Sequence, residues 1–114
     1  MQSTMSFNRG DVVLVPFPFT DLTTQKRRPA LVISSNRFNT SSADIILLGI
    51  TSQITTDLVQ SDYRLTSDEQ KRSGLPKPSI VKAAKVVTLS QGLVRKRLGQ
   101  LPVQTVNQVV DKLR

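Results

Sequence analysis

Three consecutive cations, Lys26-Arg27-Arg28, stand directly before Pro29 and an apolar, β-branched run, Ala30-Leu31-Val32-Ile33. Arginine presents a planar fork of donors matched to phosphate oxygens. Cations at the end of a long loop, at the mouth of a strand, are therefore well placed to meet a polyanion. The same residues would also serve as a solvated charge run that keeps an edge strand from aggregating. Other chemistry is sharply restricted, because the 114 residues include no histidine, cysteine or tryptophan. Ser-His-Asp and Cys-His nucleophilic arrangements are excluded, and so are zinc sites built on His or Cys. The acids Asp11, Asp21, Asp44, Asp57, Asp62, Asp68, Glu69 and Asp111 are scattered, with no spacing that suggests a two-metal site. The glycines stand apart and form no phosphate-cradling loop, so neither metal nor cofactor is expected. An enzyme built from this sequence works with Arg, Lys, Thr, Ser and at most a carboxylate.

The formal net charge of +8 is the footprint of a protein that meets polyanions, although a merely soluble basic protein would share it. The length fits one domain, residues 1–114. The lack of cysteine suits a reducing cytoplasm. The N-terminus, MQSTMSFNRG, lacks the apolar core of a signal peptide. The longest apolar stretches, such as Ile45-Ile46-Leu47-Leu48, are strand-sized and far too short to span a bilayer, so no membrane partner is expected.

The elements that must position the cations follow from pattern. Asp11–Val15 reads as a strand, ended by Pro16 and Pro18. Residues 17–28 read as a long loop, and Pro29–Ser34 as a second strand. Asn36–Ser42 is polar with room for a helical turn. Asp44–Thr51 is apolar on both faces and reads as a central strand. Ser61–Leu65 reads as a short strand. Thr66–Gly74 reads as a short helix, capped by Thr66 or Ser67 with Glu69 or Gln70 reaching back, and stopped by Gly74. Ser79–Leu89 and Arg95–Leu101 read as strands. Pro102 opens a helix on which Val103, Val106, Val109, Val110 and Leu113 form one apolar stripe. The sum is mainly β with a C-terminal helix, a small and strongly bent barrel or sheet.

Gly10-Asp11-Val12-Val13-Leu14-Val15-Pro16-Phe17-Pro18-Phe19-Thr20-Asp21, followed by Lys26-Arg27-Arg28-Pro29-Ala30-Leu31-Val32-Ile33-Ser34, strongly resembles the opening of the MazF/PemK toxin family. The resemblance continues at Gly49-Ile50-Thr51-Ser52-Gln53. It returns in Gly74-Leu75-Pro76-Lys77-Pro78-Ser79-Ile80-Val81 and in Thr88-Leu89 with Arg97-Leu98-Gly99, spanning most of the chain in order. It implies an SH3-like β-barrel with a C-terminal helix, usually a homodimer. It implies a cytoplasmic, metal-independent, sequence-selective endoribonuclease acting on single-stranded RNA, paired with a small antitoxin that blocks the RNA groove. The family's functional arginine precedes the proline that opens the second strand, which is Arg28 here. Its functional threonine follows an apolar pair at the end of the third strand, which is Thr51 here. Lys26, Arg27, Gln53, Lys82 and Phe19 are the candidates for RNA binding around them.

That assignment has a physical rationale. RNA is cut without a metal when its own 2′-hydroxyl attacks the neighbouring phosphate, provided that the protein aligns the groups and stabilises charge growing on the phosphate oxygens. Arg28 would donate two bonds to those oxygens and the Thr51 hydroxyl one, each donor of this kind supplying about 2.7–4 kcal/mol of transition-state stabilisation. Thr51 could equally bond its own backbone at a strand end. Phe17 and Phe19 share a side if extended, and either stack on an unpaired base or anchor the loop to the core. Lys82 and Lys85, three apart on one strand, should point to opposite faces, with Lys82 the one facing the groove. Arg95-Lys96-Arg97 reads as a solvated patch. Arginine is a poor general base. Relatives often carry an acid two residues after the position of Lys82, where this chain has Ala84, so the base is left open, with Asp21 or Asp57 as candidates. The other classes that fit are a toxin that acts by protein contact, for example on gyrase, and a degenerate member that binds RNA or antitoxin without cutting.

Overall fold

The computed structural model describes residues 6–16, 27–54 and 58–113. Its strands are β1 (Asp11–Pro16), β2 (Arg27–Val32), β3 (Asp44–Thr51), β4 (Asp62–Arg64), β5 (Ile80–Ser90) and β6 (Lys96–Gln100). Its helices are α1 (Asn36–Ser41), α2 (Ser67–Ser73) and α3 (Val103–Asp111). The strands form one antiparallel sheet in the order β4-β5-β3-β2-β1-β6. The apolar β3 is interior, as its two-sided pattern requires. β2 is interior too, so the cations at its start do not guard an edge. Arg27 and Arg28 also lie on the strand rather than in the preceding loop, paired to Pro16 and Val15.

Pleating divides the sheet into two faces. One carries Val12, Leu31, Leu48, Ile50, Val81 and Ala83, which pack with Leu65, Leu75, Leu101, Val106 and Val109 into the main core. The other carries Val13, Val15, Ala30, Val32, Ile45 and Leu47, which pack with Phe7 into a second cluster. The valine stripe of α3 is narrower than its spacing suggests. Val106 and Val109 are fully buried in the main core of the same chain, Val110 is half-buried, and Val103 is 68% exposed.

α2 forms as its capping box dictates. The Glu69 N–H donates to Thr66 Oγ1 at 3.2 Å, and the Thr66 N–H donates to Glu69 Oε1 at 2.9 Å. Gly74 ends the helix at φ 75°, in the left-handed region. This helix follows β4 at one edge of the sheet yet abuts β6 at the other. A Cβ on Gly74 would collide with the Leu98 carbonyl, and one on Gly99 with the carbonyls of Arg72 and Ser73. The sheet is thus curled like a barrel but not closed by hydrogen bonds, and α2 fills the seam between β4 and β6. Among the described residues, no helix is long and apolar enough to cross a membrane.

Candidate functional site

Strand register decides which candidate residues meet. Arg28 pairs with Val15, and Ala30 pairs with Gly49 on β3. The β2–β3 pairing ends there, and Arg28 and Thr51 each lie two residues beyond it, so alternation puts both on the face that carries Ala30 and Gly49. Thr51 pairs with Ile80 on β5, and Ile80 with Arg64 on β4. Val15 with Arg28 on one side, and Thr51 with Ile80 and Arg64 on the other, flank this end of the sheet on one face. The adjacent row on the same face runs Val13, Ala30, Gly49, Lys82, Asp62. Residues directly opposite in an antiparallel pair share a face, so Arg28, Thr51, Lys82, Asp62 and Arg64 occupy one side of the sheet. The main core, α2 and α3 occupy the other.

Arg28 is exposed and makes no hydrogen bond or ion pair with another described residue. Among the described residues nothing occupies its fork of donors. The Thr51 hydroxyl accepts a hydrogen bond of 3.1 Å from the Gln53 N–H. That bond uses an oxygen lone pair, fixes the side chain, and leaves the hydroxyl proton to be donated elsewhere. Thr51 thus bonds its own turn, and still has a donor to offer. Gln53 is exposed, and its backbone orients Thr51.

Lys82 is half-buried, and its Nζ lies 3.0 Å from Oδ1 and 3.1 Å from Oδ2 of Asp62. The Asp62 side chain is 1% exposed, and Oδ2 also accepts from the Val59 N–H at 3.1 Å. Gly49, directly opposite Lys82, has no side chain to obstruct it. Sequence reasoning missed Asp62 and Arg64. Their spacing of two on a short strand was the available sign that they share a face.

Other expectations are corrected. Arg27 alternates to the face opposite Arg28, so the two adjacent arginines do not converge. The facing argument for Lys82 and Lys85 fails, because β5 is bulged. Leu48 pairs with Val86 and Gly49 with Lys82, leaving Ala83, Ala84 and Lys85 without partners on β3. Ala84 lies exposed within this bulge. Arg97 is not merely solvated. It pairs with the buried Asp11 at 3.0 Å and lies over the Phe7 ring, 5.7 Å from its centroid. Lys26, Phe19, Asp21 and Asp57 lie outside the described residues.

A second polar cluster sits on the helix side. Glu69 Oε2 accepts from the Tyr63 hydroxyl at 2.8 Å and from Thr105 Oγ1 at 2.6 Å, joining β4, α2 and α3. Burial, the Glu69 hydrogen bond and its negative charge push the Tyr63 phenol up to about 12. Burial also pushes the Glu69 carboxyl up, but the bonds from Thr105, Thr66 and Tyr63 outweigh it and hold the group below its ordinary value.

A family profile described as PemK-like, MazF-like toxin of type II toxin–antitoxin systems matches residues 8–114. Endoribonuclease MazF2 of Mycobacterium bovis and Endoribonuclease MazF6 of Mycobacterium tuberculosis are each 32% identical over 90 residues, 78% of this chain and 76% of theirs. Among solved structures, the fold is similar to an endoribonuclease in complex with its cognate antitoxin from a mycobacterial species. That similarity has a TM-score of 0.75 at 20% identity over 95% of this chain and 91% of the other. It is also similar to MazF from Deinococcus radiodurans, with a TM-score of 0.74 at 22% identity over 96% and 94% of the two chains.

Proposed function

The chain belongs to the PemK-like, MazF-like endoribonuclease toxins of type II toxin–antitoxin systems, and we propose that it cleaves single-stranded RNA without a metal ion, using Arg28 and Thr51. The carrying observation is the shared face of these two residues, each two positions beyond the Ala30–Gly49 pair, with no partner on the arginine fork among the described residues and the threonine proton unspent. The 2′-oxygen of a bound ribose attacks the adjacent phosphorus as its proton passes to water, and the bond from phosphorus to the 5′-oxygen breaks as that oxygen takes a proton from water. The products are a cyclic phosphate and a 5′-hydroxyl. Arg28 and Thr51 donate to the phosphate oxygens as charge accumulates on them, which lowers the barrier without a metal. Arg64 and Lys82, on the same face, suit flanking phosphates, and Gln53 supports Thr51.

The toxin acts where transcripts are, in the cytoplasm. Its partner is an antitoxin, a partner with which the mycobacterial relative was solved. A net charge of +8 favours an acidic antitoxin segment that folds along the same basic face. The active species is a homodimer, as the family resemblance implies. The test is direct. Purified protein should cut single-stranded RNA in excess EDTA and leave DNA intact, and cutting that appears only with added Mg²⁺ would refute the chemistry.

A further inference from the structure

Two carboxylates are buried in this sheet, and they are satisfied very differently. Asp11 Oδ2 accepts from the Asn8 N–H at 2.8 Å and pairs with Arg97, while Oδ1 accepts from Gln100 at 3.1 Å. Both of its oxygens are used, as a structural carboxylate requires. Asp62 is buried to the same degree, but its Oδ1 sits near Lys82 Nζ without hydrogen-bonding geometry and has no other partner among the described residues. A buried ion pair so incompletely satisfied is a weak source of stability, and an apolar pair of similar volume would serve the fold as well or better. Its placement is the distinguishing feature, because it lies on the Arg28–Thr51 face, and Lys82 is diagonal to Thr51 across β3 and β5.

We propose that Asp62 is a positioning residue that holds the Lys82 ammonium beside the Arg28–Thr51 pair as an oriented hydrogen-bond donor to a substrate phosphate. This rests on the reading that RNA binds this face. An ammonium has three donors, and the two Asp62 oxygens can take at most two. At least one remains for the ligand, and the Lys82 side chain is 29% exposed. Gly49 opposite leaves the approach open. Pairing with Asp62 cancels the long-range attraction of Lys82 for RNA, so this lysine supplies geometry rather than ground-state affinity. A free lysine on a flexible stem would do the reverse.

The test separates those contributions. Asp62→Asn should bind RNA at least as tightly as wild type, with a salt dependence steeper by about one unit of slope. At saturating RNA it should cut roughly 10- to 100-fold more slowly in a single turnover. In a Lys82→Met background, Asp62→Asn should slow cutting no further, because its effect runs through Lys82. The same slowing in both backgrounds, a wild-type rate, or a loss of affinity parallel to the loss of rate would each overturn the proposal. If Asp62→Asn does not fold, Lys82→Arg carries the test, since it keeps the charge but moves the donors. It should keep affinity and lose rate, and an undiminished rate would overturn the proposal. Arg28→Ala distinguishes the two levels of failure. If it cuts normally, the assigned site is wrong. If it is inactive while Asp62→Asn cuts normally, only the role of Asp62 is wrong.

Discussion

At the scale of single residues, the question is which interactions strengthen as the phosphate takes on charge. Among the described residues Arg28 has no partner and Thr51 keeps its proton, so under the proposed chemistry both would act mainly in the transition state. Interactions of that kind change the rate constant more than ground-state affinity. Arg28→Lys keeps the charge but loses the bidentate fork. It should cut at least about 100-fold more slowly and bind RNA nearly as well, the magnitude expected when one oriented donor is lost. Thr51→Ala should behave alike, and Arg28→Ala should be close to inactive. Single-turnover cleavage and RNA affinity, measured separately, check this. A parallel fall in both quantities for Arg28→Lys would show that the arginine binds RNA without favouring the transition state. The order of these residues was legible as a motif. Their common face was not, because Arg28 and Thr51 are far apart in sequence and only the β2–β3 pairing sets them on one side of the sheet.

At the scale of elements, the Glu69 cluster ties β4, α2 and α3, and its titration should be visible. The chain has one tyrosine and no tryptophan, so phenolate absorbance reports Tyr63 alone. The folded protein should show a midpoint near 12. The urea-unfolded chain should return to about 10. A phenol whose folded value is raised contributes stability that is fully present below about pH 10 and lost as the pH rises through about 12. Glu69 has the opposite sign. Held below its ordinary value, it contributes stability present above the usual glutamate range and lost as the pH falls through its folded value. Glu69→Gln should therefore flatten the acid limb of stability against pH. It should also lower the Tyr63 midpoint, leaving it above 10 because burial is the larger cause. A folded midpoint near 10 in the wild type would mean that the cluster does not form in solution. The capping box that places Glu69 was readable from Thr66 and Glu69. Its bonds to Tyr63 and Thr105 were not, since they cross between distant segments.

At the scale of the whole molecule, the +8 charge and the free cations on one face predict competition. An acidic antitoxin segment that covers Arg28 should displace RNA, and its affinity should fall with salt. Titrating antitoxin into a complex of RNA with an inactive Arg28 variant checks this. A stable ternary complex with RNA still on the face would refute shared occupancy. The proposed homodimer has its own check, since sedimentation should give twice the chain mass at tens of micromolar, and a monomer would count against it. Its interface cannot be the central valines of α3, because Val106 and Val109 are already buried within their own chain.

Local rules determined most elements of this protein. Apolar runs rich in β-branched residues marked β1, β3 and β5, Thr66 with Glu69 and Gly74 bounded α2, and the absence of histidine and cysteine narrowed the chemistry to cations, hydroxyls and carboxylates. Each of these depends on neighbours within a few residues, or on composition. Tertiary structure decided what depends on contacts between distant segments. The β2–β3 pairing put Arg28 and Thr51 on one face, and strand alternation turned Arg27 away. The bulge at Ala83–Lys85 broke the simple alternation of the lysines and left Lys82 against Asp62. A slip of one residue in any of these pairings would move every side chain on that strand to the other face, and no local pattern records which register wins.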